Sequence, residues 1–327
     1  MKKVYFLIQG WDHPASRYRV LQYIPYLKES QIEAKVALFP DSFCQWMKLF
    51  SELKDYHAVF VQKKRLWHWQ LWYLRRKHIR IIYDFDDAVM FKSPVDGGGR
   101  SFKRQRTFAR MVRHSDQIIA GNQYLESKAI PYNKNIAILP TAIDTSKYTM
   151  KDYRKNKEKI TIGWIGSKSS LPFLKELIPA FDHLASQYTS VELKIICNDF
   201  FECSRMPVVK KTWALKDENA DLHDIDIGLA PLPDHEWTKG KCATKLLQYL
   251  SVGIPAVCSP VGVHTEIIKE GRNGFFASST QEWIEKIGLL IKDKALRERV
   301  GIKGRETVES SYSLKANIPK FINILAQ

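Results

Sequence analysis

Apolar residues along the chain form short runs that alternate with segments of helical periodicity. In the first half, runs typical of buried strands occupy residues 3–9, 34–38, 58–62, 79–85, 117–121 and 136–139. Segment 16–28 instead repeats apolar residues at the spacing of one helical face, so it predicts a helix. Nearly continuous apolar strands that alternate with helices are typical of a doubly wound parallel sheet covered on both faces.

The alternation stops in the polar and charged segment 144–159 and then begins again. Further strands are predicted at 160–166, 191–197, 208–213, 225–232 and 256–259, and helices at 171–187, from about 241 onward, and at 281–291, 295–310 and 314–325. The polar segment has the character of a linker, so we expect domains at residues 1–150 and 151–310 and a C-terminal segment at 311–327. The expected architecture is two Rossmann-like domains that face each other across a cleft.

The composition is that of a folded protein, because 45% of the 327 residues are hydrophobic and 26% are charged. No apolar run approaches the roughly 20 residues that a membrane-spanning helix needs. The N-terminal residues are interpreted as a first strand, because they lack the length and cleavage site of a signal peptide. The 5 cysteines are odd in number and lack metal-ligand spacing, so we expect reduced thiols, a cytoplasmic location and no metal site.

Positive charge is concentrated in the first half of the chain. Residues 1–150 hold 25 Lys and Arg against 13 Asp and Glu, which is +12 of the formal net charge of +16. Segments 63–80 and 100–113 carry much of this charge, and the first interleaves it with Trp67, Trp69, Trp72 and Tyr73. Such a mixture suits peripheral contact with an anionic membrane, at about 1 kcal/mol for each basic residue near the surface. An ordinary crossover helix with core aromatics and solvated charges is the alternative for 63–80.

Segment 231–277 carries the most specific chemical pattern. Lys241 and Lys245 are placed where a loop after a strand turns into a helix, one helical turn apart and on one face. A helix N-terminus flanked by lysines is suited to phosphate groups, whereas two solvated surface lysines are the alternative. Residues 253–255 end the helix, and 259–262 form a second tight loop after the next strand. This arrangement suits a nucleoside diphosphate that carries a leaving group.

The same segment resembles the donor-binding half of retaining GT-B-fold glycosyltransferases of family four. Residues 246–257 (LLQYLSVGIPAV) are similar to the second half of the family's Glu-x7-Glu helix and the strand after it, and the downstream pattern fits at Gly262, Glu266, Gly271, Asn273 and Gly274. Gln248 stands where the family has its second glutamate, and Gly240 where it has the first. A glutamine still hydrogen-bonds a ribose hydroxyl, without charge. We therefore interpret the chain as a lysine-rich branch of the family, with a decayed, inactive copy as the alternative.

The resemblance extends over nearly the whole chain, through the sequences at 15–20, 83–88, 121–122 and 139–144. It implies the GT-B fold, an α/β architecture in which 1–150 form an acceptor-side domain and 151–310 a domain for the nucleotide-sugar donor. The helix within 311–327 would cross back to the N-terminal domain. The resemblance also implies a retaining mechanism without metal or other cofactor, in which the donor's own phosphate assists proton transfer.

Catalytic roles are assigned to Lys241, Lys245, Arg17 and Asp86. The fixed charge of the lysines would stabilise the departing pyrophosphate more in the transition state than in the ground state. Arg17 replaces a glycine of the family's first loop and lies nearer the strand end than Arg19, and a guanidinium binds phosphate bidentately. Asp86 falls about where the family has a histidine, so it is expected to take the acceptor's proton or hold sugar hydroxyls, with a helix cap as the equal alternative.

Donor-binding roles are assigned to residues that directly follow strands or lie on the lysine helix, because ligands of open α/β sheets bind at the carboxyl ends of strands. These residues are Gly166, Ser167, Lys168, Asn198, Gln248, Gly262 and Glu266. Asn198 is placed near the nucleobase and Glu266 near the donor sugar, with the complement of a helix dipole as the alternative for Glu266. A solvated side chain is the equal alternative for Lys168, and for Asp84 a helix cap is favoured over a functional role.

The predicted function is transfer of a sugar from a nucleotide-sugar donor to a glycan or lipid-linked acceptor, in the synthesis of a bacterial surface polysaccharide or glycolipid. A basic protein that binds nucleic acid or an anionic surface is one alternative, because the pI is about 9.5. The sequence lacks signatures of zinc fingers, helix-turn-helix and RNA-recognition modules, so nucleic acid is not an expected partner. It also lacks the glycine fingerprint of nicotinamide-binding domains and a Walker sequence. A GT-B-fold sugar-nucleotide epimerase is the other alternative.

Overall fold

The computed structural model describes residues 2–93, 97–154 and 157–327, and this described chain divides into two compact units. Unit 1 comprises Met1–Ala142, Lys239–Cys242 and Leu314–Gln327, and unit 2 comprises Ile143–Thr238 and Ala243–Ser313. Segment 143–150, which the sequence analysis places in the first domain, therefore belongs to unit 2. Lys239–Cys242 belongs instead to unit 1, although it lies within the second domain along the sequence.

Each unit contains, within the described residues, a six-stranded sheet. The strands of unit 1 are β1 (Lys2–Ile8), β2 (Ile32–Leu38), β3 (Ala58–Gln62), β4 (Arg80–Phe85), β5 (Gln117–Ala120) and β6 (Ile136–Ile138). Those of unit 2 are β7 (Ile160–Ile165), β8 (Val191–Ile196), β9 (Val208–Lys211), β10 (Ile227–Ala230), β11 (Ala256–Cys258) and β12 (Phe275–Phe276). The strand orders are β2-β1-β3-β4-β5-β6 and β12-β11-β10-β7-β8-β9, with neighbouring strands parallel. The predicted α/β class with two doubly wound parallel sheets is confirmed.

Helices connect the strands in both units. They are α1 (Pro14–Arg19), α2 (Ile24–Leu27), α3 (Phe43–Leu53), α4 (His68–Arg76), α5 (Phe102–His114), α6 (Gln123–Ala129), α7 (Leu171–Lys175), α8 (Ile178–Gln187), α9 (Glu218–His223), α10 (Glu236–Lys239), α11 (Thr244–Val252), α12 (His264–Ile267), α13 (Thr280–Lys292), α14 (Lys294–Thr307) and α15 (Leu314–Ala326). Within the described ranges, none of these helices combines the length and the apolar character that crossing a membrane requires.

Each unit has its own hydrophobic core. In unit 1, helix α15 packs on the sheet through Phe321, whose ring lies 4.4 Å from that of Tyr23 and 6.0 Å from that of Phe60 on β3, measured between centroids. In unit 2, the strands and helices α8 and α13 enclose Trp164 and Phe181, neither of which has exposed surface. Helix α15 is thus an integral part of the unit 1 core.

Two of the predicted helices are broken in the structure. The helix expected at 16–28 consists of α1, a 3-10 turn at Leu21–Tyr23 and α2, with Pro25 in the first turn of α2. The helix expected at 171–187 consists of α7 and α8, and Pro179 lies in the first turn of α8. The physical reason is the same in both, because proline has no N–H to donate and fits only the start of a helix.

Candidate functional site

The topology of unit 2 places the carboxyl ends of β7, β10 and β11 next to one another. Strand β8 lies on one side of β7 and β10 on the other, so the winding direction of the sheet changes between β7 and β10. Ligands of open α/β sheets bind at this switch point, outside the carboxyl ends of the strands. The loops that begin at Gly166, Pro231 and Ser259 are therefore the part of unit 2 in which a donor site is expected.

Lys245 is held at this edge by a buried aromatic ring. Its Nζ lies 4.4 Å from the ring centroid of Trp164, and 3.5 Å from the Oγ of Ser170 in the loop after β7. The face of an indole attracts an ammonium group, more strongly where water is excluded. Gly166 makes room for the pair, because a Cβ there would lie 2.4 Å from a ring carbon of Trp164 and 3.0 Å from the Nζ of Lys245. Trp164 lies within the predicted strand 160–166, and its role as the support of the lysine has no signal in the sequence.

Helix α11 is fixed to the sheet by Tyr249. Its hydroxyl accepts a hydrogen bond from the backbone N–H of Ile165 on β7 (2.9 Å) and donates one to the carbonyl of Leu229 on β10 (3.2 Å). Gly228 permits this approach, since a Cβ there would lie 2.6 Å from the Tyr249 ring. Gly253, at φ 77°, ends the helix in the left-handed conformation that favours glycine. Lys245 therefore projects from a helix whose position is fixed by two strands.

Lys241 does not share a helical face with Lys245, so that prediction is wrong. Helix α11 begins only at Thr244, and Ala243 before it has a left-handed backbone with φ 55°. Lys241 lies in the segment of unit 1, where its Nζ is 2.9 Å from an Oδ of Asp87. A left-handed residue interrupts the helical repeat, and the spacing rule holds only inside a continuous helix.

The loop after β11 brings a buried histidine close to Lys245. The backbone carbonyl of Ser259 lies 3.0 Å from Nδ1 of His264, and the Ser259 hydroxyl accepts a hydrogen bond from the N–H of Leu232 (3.0 Å). Burial lowers the pKa of His264 to about 4, and the positive charge of Lys245 acts in the same direction. The imidazole is thus neutral at pH 7, with Nδ1–H as the donor to Ser259. The neutral, buried state of His264 follows only from the packing and has no local signal in the sequence.

The other predicted donor residues follow the carboxyl ends of strands of the unit 2 sheet, except for Gln248 on α11. Gly166, Ser167 and Lys168 follow β7, Asn198 follows β8, Gly262 and Glu266 follow β11, and Gln248 is buried on α11. The side chain of Lys168 is 82% exposed and its Nζ lies 3.3 Å from a carboxylate oxygen of Asp199. Glu266 is in the first turn of α12, where partial burial raises its pKa and Lys269 opposes the rise. Their roles toward a donor stay predictions.

In unit 1 a cluster of two lysines and two aspartates lies at the carboxyl ends of β3 and β4, and we call it the Lys63 cluster (Lys63, Asp86, Asp87 and Lys241). The Nζ of Lys63 lies 2.9 Å from an Oδ of Asp86 and 2.5 Å from an Oδ of Asp87. Burial alone would raise the pKa of Asp87, but the charges of Lys241 and Lys63 outweigh it and hold that pKa well below its usual range. The Asp87 carboxylate is therefore ionised.

Asp86 belongs to this cluster and not to a helix terminus, because among the described residues after β4 the first helix begins at Phe102. The cap interpretation of Asp86 is thereby excluded, and its role toward an acceptor stays a prediction. The sequence analysis missed Lys63, which directly follows β3. Asp86 was found because functional residues tend to follow the carboxyl ends of strands. The same rule, applied to β3, would also have located Lys63.

Arg19 and Asp84 form a buried ion pair inside unit 1. The Nε of Arg19 lies 3.1 Å and 3.3 Å from the two carboxylate oxygens of Asp84, and the guanidinium also donates to the carbonyl of Leu139. The prediction that Asp84 caps a helix is wrong, because its side chain is enclosed by the sheet and held by this arginine. Arg17 is half-buried, with its guanidinium carbon 5.3 Å from the ring centroid of Tyr18. A phosphate role for Arg17 stays a prediction.

The segment Lys239–Cys242 is packed closely against the residues around the Lys63 cluster. A Cβ on Gly240 would lie 2.6 Å from the Cβ of Ala88, and a Cβ on Gly121 would lie 2.4 Å from the Sγ of Cys242. Asn122 donates its side-chain amide to the carbonyl of Lys241 (3.1 Å). Gly240 therefore has no room for a side chain, which gives a physical reason for the departure from the glutamate of the family pattern.

Among the residues that the structure describes, no group of three or more His, Cys, Asp and Glu side chains is arranged to hold a metal ion. Metal independence stays a prediction, since it concerns the reaction and not the resting protein.

Comparison with known proteins defines the class of this fold. Residues 236–307, which include Lys245 and Gln248, match the family described as glycosyl transferases group 1. Sucrose-phosphate synthase from Thermosynechococcus elongatus is similar over 100% of this chain and 99% of its own, with a TM-score of 0.76 at 12% identity. Anabaena HepE, solved in complex with UDP and glucose, is similar over 100% of both chains, with a TM-score of 0.76 at 14% identity. The GT-B fold and the resemblance to glycosyltransferases of the family-four type are confirmed.

Among curated proteins, the capsular polysaccharide biosynthesis glycosyltransferase CapM of Staphylococcus aureus is 22% identical to this chain over 246 residues. The match covers 71% of this chain and 61% of CapM, so the chain spans less than two thirds of that relative.

Proposed function

We propose that this protein is a glycosyltransferase that moves a sugar from a nucleotide-sugar donor to a glycan or lipid-linked acceptor. The observation that carries the proposal is the position of Lys245, which is supported by the face of Trp164 at the switch point of unit 2. A cation fixed at that edge suits the diphosphate of a nucleotide sugar. The similarity to HepE, which was solved with UDP-glucose as well as with UDP and glucose, supports the same class of donor.

In the proposed reaction the bond between the sugar C1 and the donor's phosphate oxygen breaks, and a bond from C1 to the acceptor hydroxyl oxygen forms on the same face. The proton of that hydroxyl moves to the departing phosphate oxygen, so the nucleoside diphosphate itself is the base and the product retains its configuration. Lys245 stabilises the negative charge that develops on the leaving group. Arg17 is proposed to contribute a second cation, by bidentate contact with phosphate oxygens.

Residues of the Lys63 cluster are proposed to serve the acceptor. Lys63 holds Asp86 by an ion pair of 2.9 Å, and carboxylate oxygens accept hydrogen bonds from sugar hydroxyls. Lys241 is paired with Asp87, so we assign its contribution to the organisation of this cluster. Gln248, buried on α11, takes the place of the family's second glutamate and is proposed to hold the donor ribose without charge.

The acceptor is proposed to belong to the synthesis of a bacterial surface polysaccharide or glycolipid, and the name of CapM supports that assignment. We also propose a cytoplasmic protein that contacts an anionic membrane peripherally. In unit 1, Trp72 is 60% exposed with the Arg76 guanidinium 5.3 Å from its ring, and Phe102 at the start of the basic helix α5 is 79% exposed. Exposed aromatic rings beside basic residues suit a headgroup region.

The direct test is nucleotide binding in the absence of metal. Thermal-shift and calorimetric titrations with UDP, GDP, ADP, dTDP, CDP and their glucose derivatives would be run on the wild type, on Lys245→Met, and on Lys216→Met as a control at an exposed lysine of unit 2. We expect one base to be preferred, and the affinity for its diphosphate to fall about tenfold or more only in Lys245→Met. If no nucleotide binds, or if both variants bind equally, the donor proposal is wrong. Conversion of a donor sugar to its epimer without any acceptor would support the epimerase alternative instead.

A further inference from the structure

Unit 1 contains an open groove that the donor chemistry does not use. It has a volume of about 490 Å³ and lies where α3 and α4 begin, beyond the carboxyl ends of β2 and β3. Aromatic side chains form its walls: Trp67 is 65% exposed, Phe43 64% and Trp69 38%. Concave sites of this size with aromatic walls and a few placed polar groups are typical of small-ligand binding.

The walls of the groove are held in place by contacts within unit 1. The ring centroid of Trp69 lies 5.4 Å from that of Phe43 and 6.1 Å from that of Trp46. The backbone N–H of Trp67 donates to the side-chain oxygen of Gln70 (2.7 Å), and Gln70 is buried at 4% exposure. The Trp69 and Phe43 rings and the backbone at Trp67 are therefore preorganised, which lowers the entropic cost of binding a ligand.

The polar groups of the groove favour an anion. Lys64 and Arg65 enter it directly after Lys63 of the Lys63 cluster, and Asp41 lies on the other wall. The Nζ of Lys64 is 4.8 Å from the ring centroid of Phe39, and Arg65 donates to the carbonyl of Val89 (2.6 Å), so both side chains have a defined direction. The two cations outweigh the single charge of Asp41 in a unit whose sequence is already strongly basic.

We propose that this groove is an acceptor subsite that binds a pyranose ring carrying a carboxylate or phosphate group. The C–H faces of a pyranose are apolar and fit the flat indoles, while its hydroxyls and its anionic substituent meet the polar groups of the groove. A bilayer surface is flat and would not fill such a concavity. The residues proposed above to contact a membrane, Trp72 and Phe102, are not among those that line the groove. Lys64 of the groove directly follows Lys63, which is paired with Asp86, so the proposal makes the bound ring an extension of an acceptor held at Asp86. This inference rests on the proposed glycosyltransferase function.

The test uses short anionic glycans without a donor. Saturation-transfer NMR and calorimetry with hyaluronan tetrasaccharide and tetragalacturonate would compare the full-length wild type with Trp67→Ala, Lys64→Ala and Trp72→Ala. Trp72, an exposed tryptophan of α4 that does not line the groove, is the matched control. We expect at least one of the two glycans to bind the wild type, about tenfold weaker binding in Trp67→Ala, and an unchanged affinity in Trp72→Ala. Lys64→Ala should weaken the anionic glycan but leave a neutral probe, chitotetraose, unchanged.

Three results would overturn the subsite. They are no binding of either anionic glycan to the wild type, equal affinities in Trp67→Ala and Trp72→Ala, and loss of binding to phosphatidylglycerol vesicles in Trp67→Ala without any change for the glycans. The last result would assign the groove to a lipid surface. Nucleotide affinity and melting temperature measured on the same variants separate the two proposals, because an intact nucleotide site with no glycan binding rejects the groove and leaves the donor proposal standing.

Discussion

The Nζ of Lys245 lies 4.4 Å from the ring centroid of Trp164, a residue with no exposed surface at the centre of the unit 2 sheet. The face of the indole attracts the ammonium group and fixes its position at the edge of the sheet. Gly166 and Tyr249 are both required for this arrangement, the first because a side chain would strike the ring and the second because it fixes the helix. A buried residue of strand β7 therefore determines the position of the Lys245 charge at the edge of the sheet.

Replacement of Lys245 by methionine is expected to reduce the turnover number by about a hundredfold or more, because one fixed donor to a developing anion contributes about that much. The melting temperature should change little, since methionine retains the apolar contact with Trp164. Steady-state kinetics with the preferred nucleotide sugar measure the effect. Lys216→Met, at an exposed lysine, should have wild-type kinetics. A Lys245→Met enzyme with unchanged turnover would remove the lysine from the mechanism.

Removal of metal is expected to leave turnover unchanged. In the proposed mechanism side-chain cations such as Lys245, and not a metal ion, stabilise the negative charge of the diphosphate. The measurement is the initial rate before and after dialysis against EDTA. Loss of activity that magnesium restores would contradict the prediction and would require a metal bridging the phosphates.

Gly240→Ala is expected to destabilise the protein by about 1–3 kcal/mol, because the new Cβ would lie 2.6 Å from the Cβ of Ala88 and overpack the segment. Urea denaturation followed by far-UV circular dichroism measures the change. Gly288→Ala on α13 is the control, since the nearest atom to a Cβ there is the Tyr188 hydroxyl at 3.4 Å. That variant should be neutral or up to about 1 kcal/mol more stable, as expected for alanine within a helix. Equal stability of both variants would show that Gly240 is not sterically required.

Arg19→Met is expected to cost about 3–5 kcal/mol, because it leaves the carboxylate of Asp84 buried without its partner. The double variant Arg19→Met/Asp84→Leu should recover much of this loss, since it removes the stranded charge. Lys3→Met, at a pair with Glu33 in which both side chains are about 40% exposed, should cost no more than about 1 kcal/mol. The stabilities are compared by the denaturant midpoints of the variants. A double variant no more stable than Arg19→Met would contradict the explanation by a stranded Asp84 charge.

The class of the fold and the positions of most strands could be predicted from the sequence. Parallel strands that are buried on both faces appear as nearly continuous apolar runs, which can be recognised without knowledge of their neighbours in the sheet. The sequence was not sufficient for the relation between Lys241 and Lys245. That relation depends on the left-handed backbone of Ala243, a residue type that gives no local signal for φ 55°. Lys63 and Asp87 lie far apart along the chain and meet only because β3 and β4 are neighbours in the sheet.

Stability at mildly acidic pH is expected to depend on His264. Burial and Lys245 lower the pKa of His264 from 6.5 to about 4, so the folded state binds this proton less well than the unfolded state. The stabilising contribution is complete above pH 6.5 and is lost as the pH falls through that value toward 4. Between pH 7 and pH 5 the loss from this group should be about 2 kcal/mol.

His264→Asn keeps a donor for the carbonyl of Ser259 but cannot take up the proton. The variant is expected to be less stable than the wild type at pH 7, where its packing is poorer, and to lose about 2 kcal/mol less on going to pH 5. Urea denaturation at both values gives the comparison, and subtraction removes the contributions of other histidines. Parallel pH dependences in the two proteins would mean that the imidazole of His264 is accessible to protons in the folded state, which contradicts its enclosure beside Lys245.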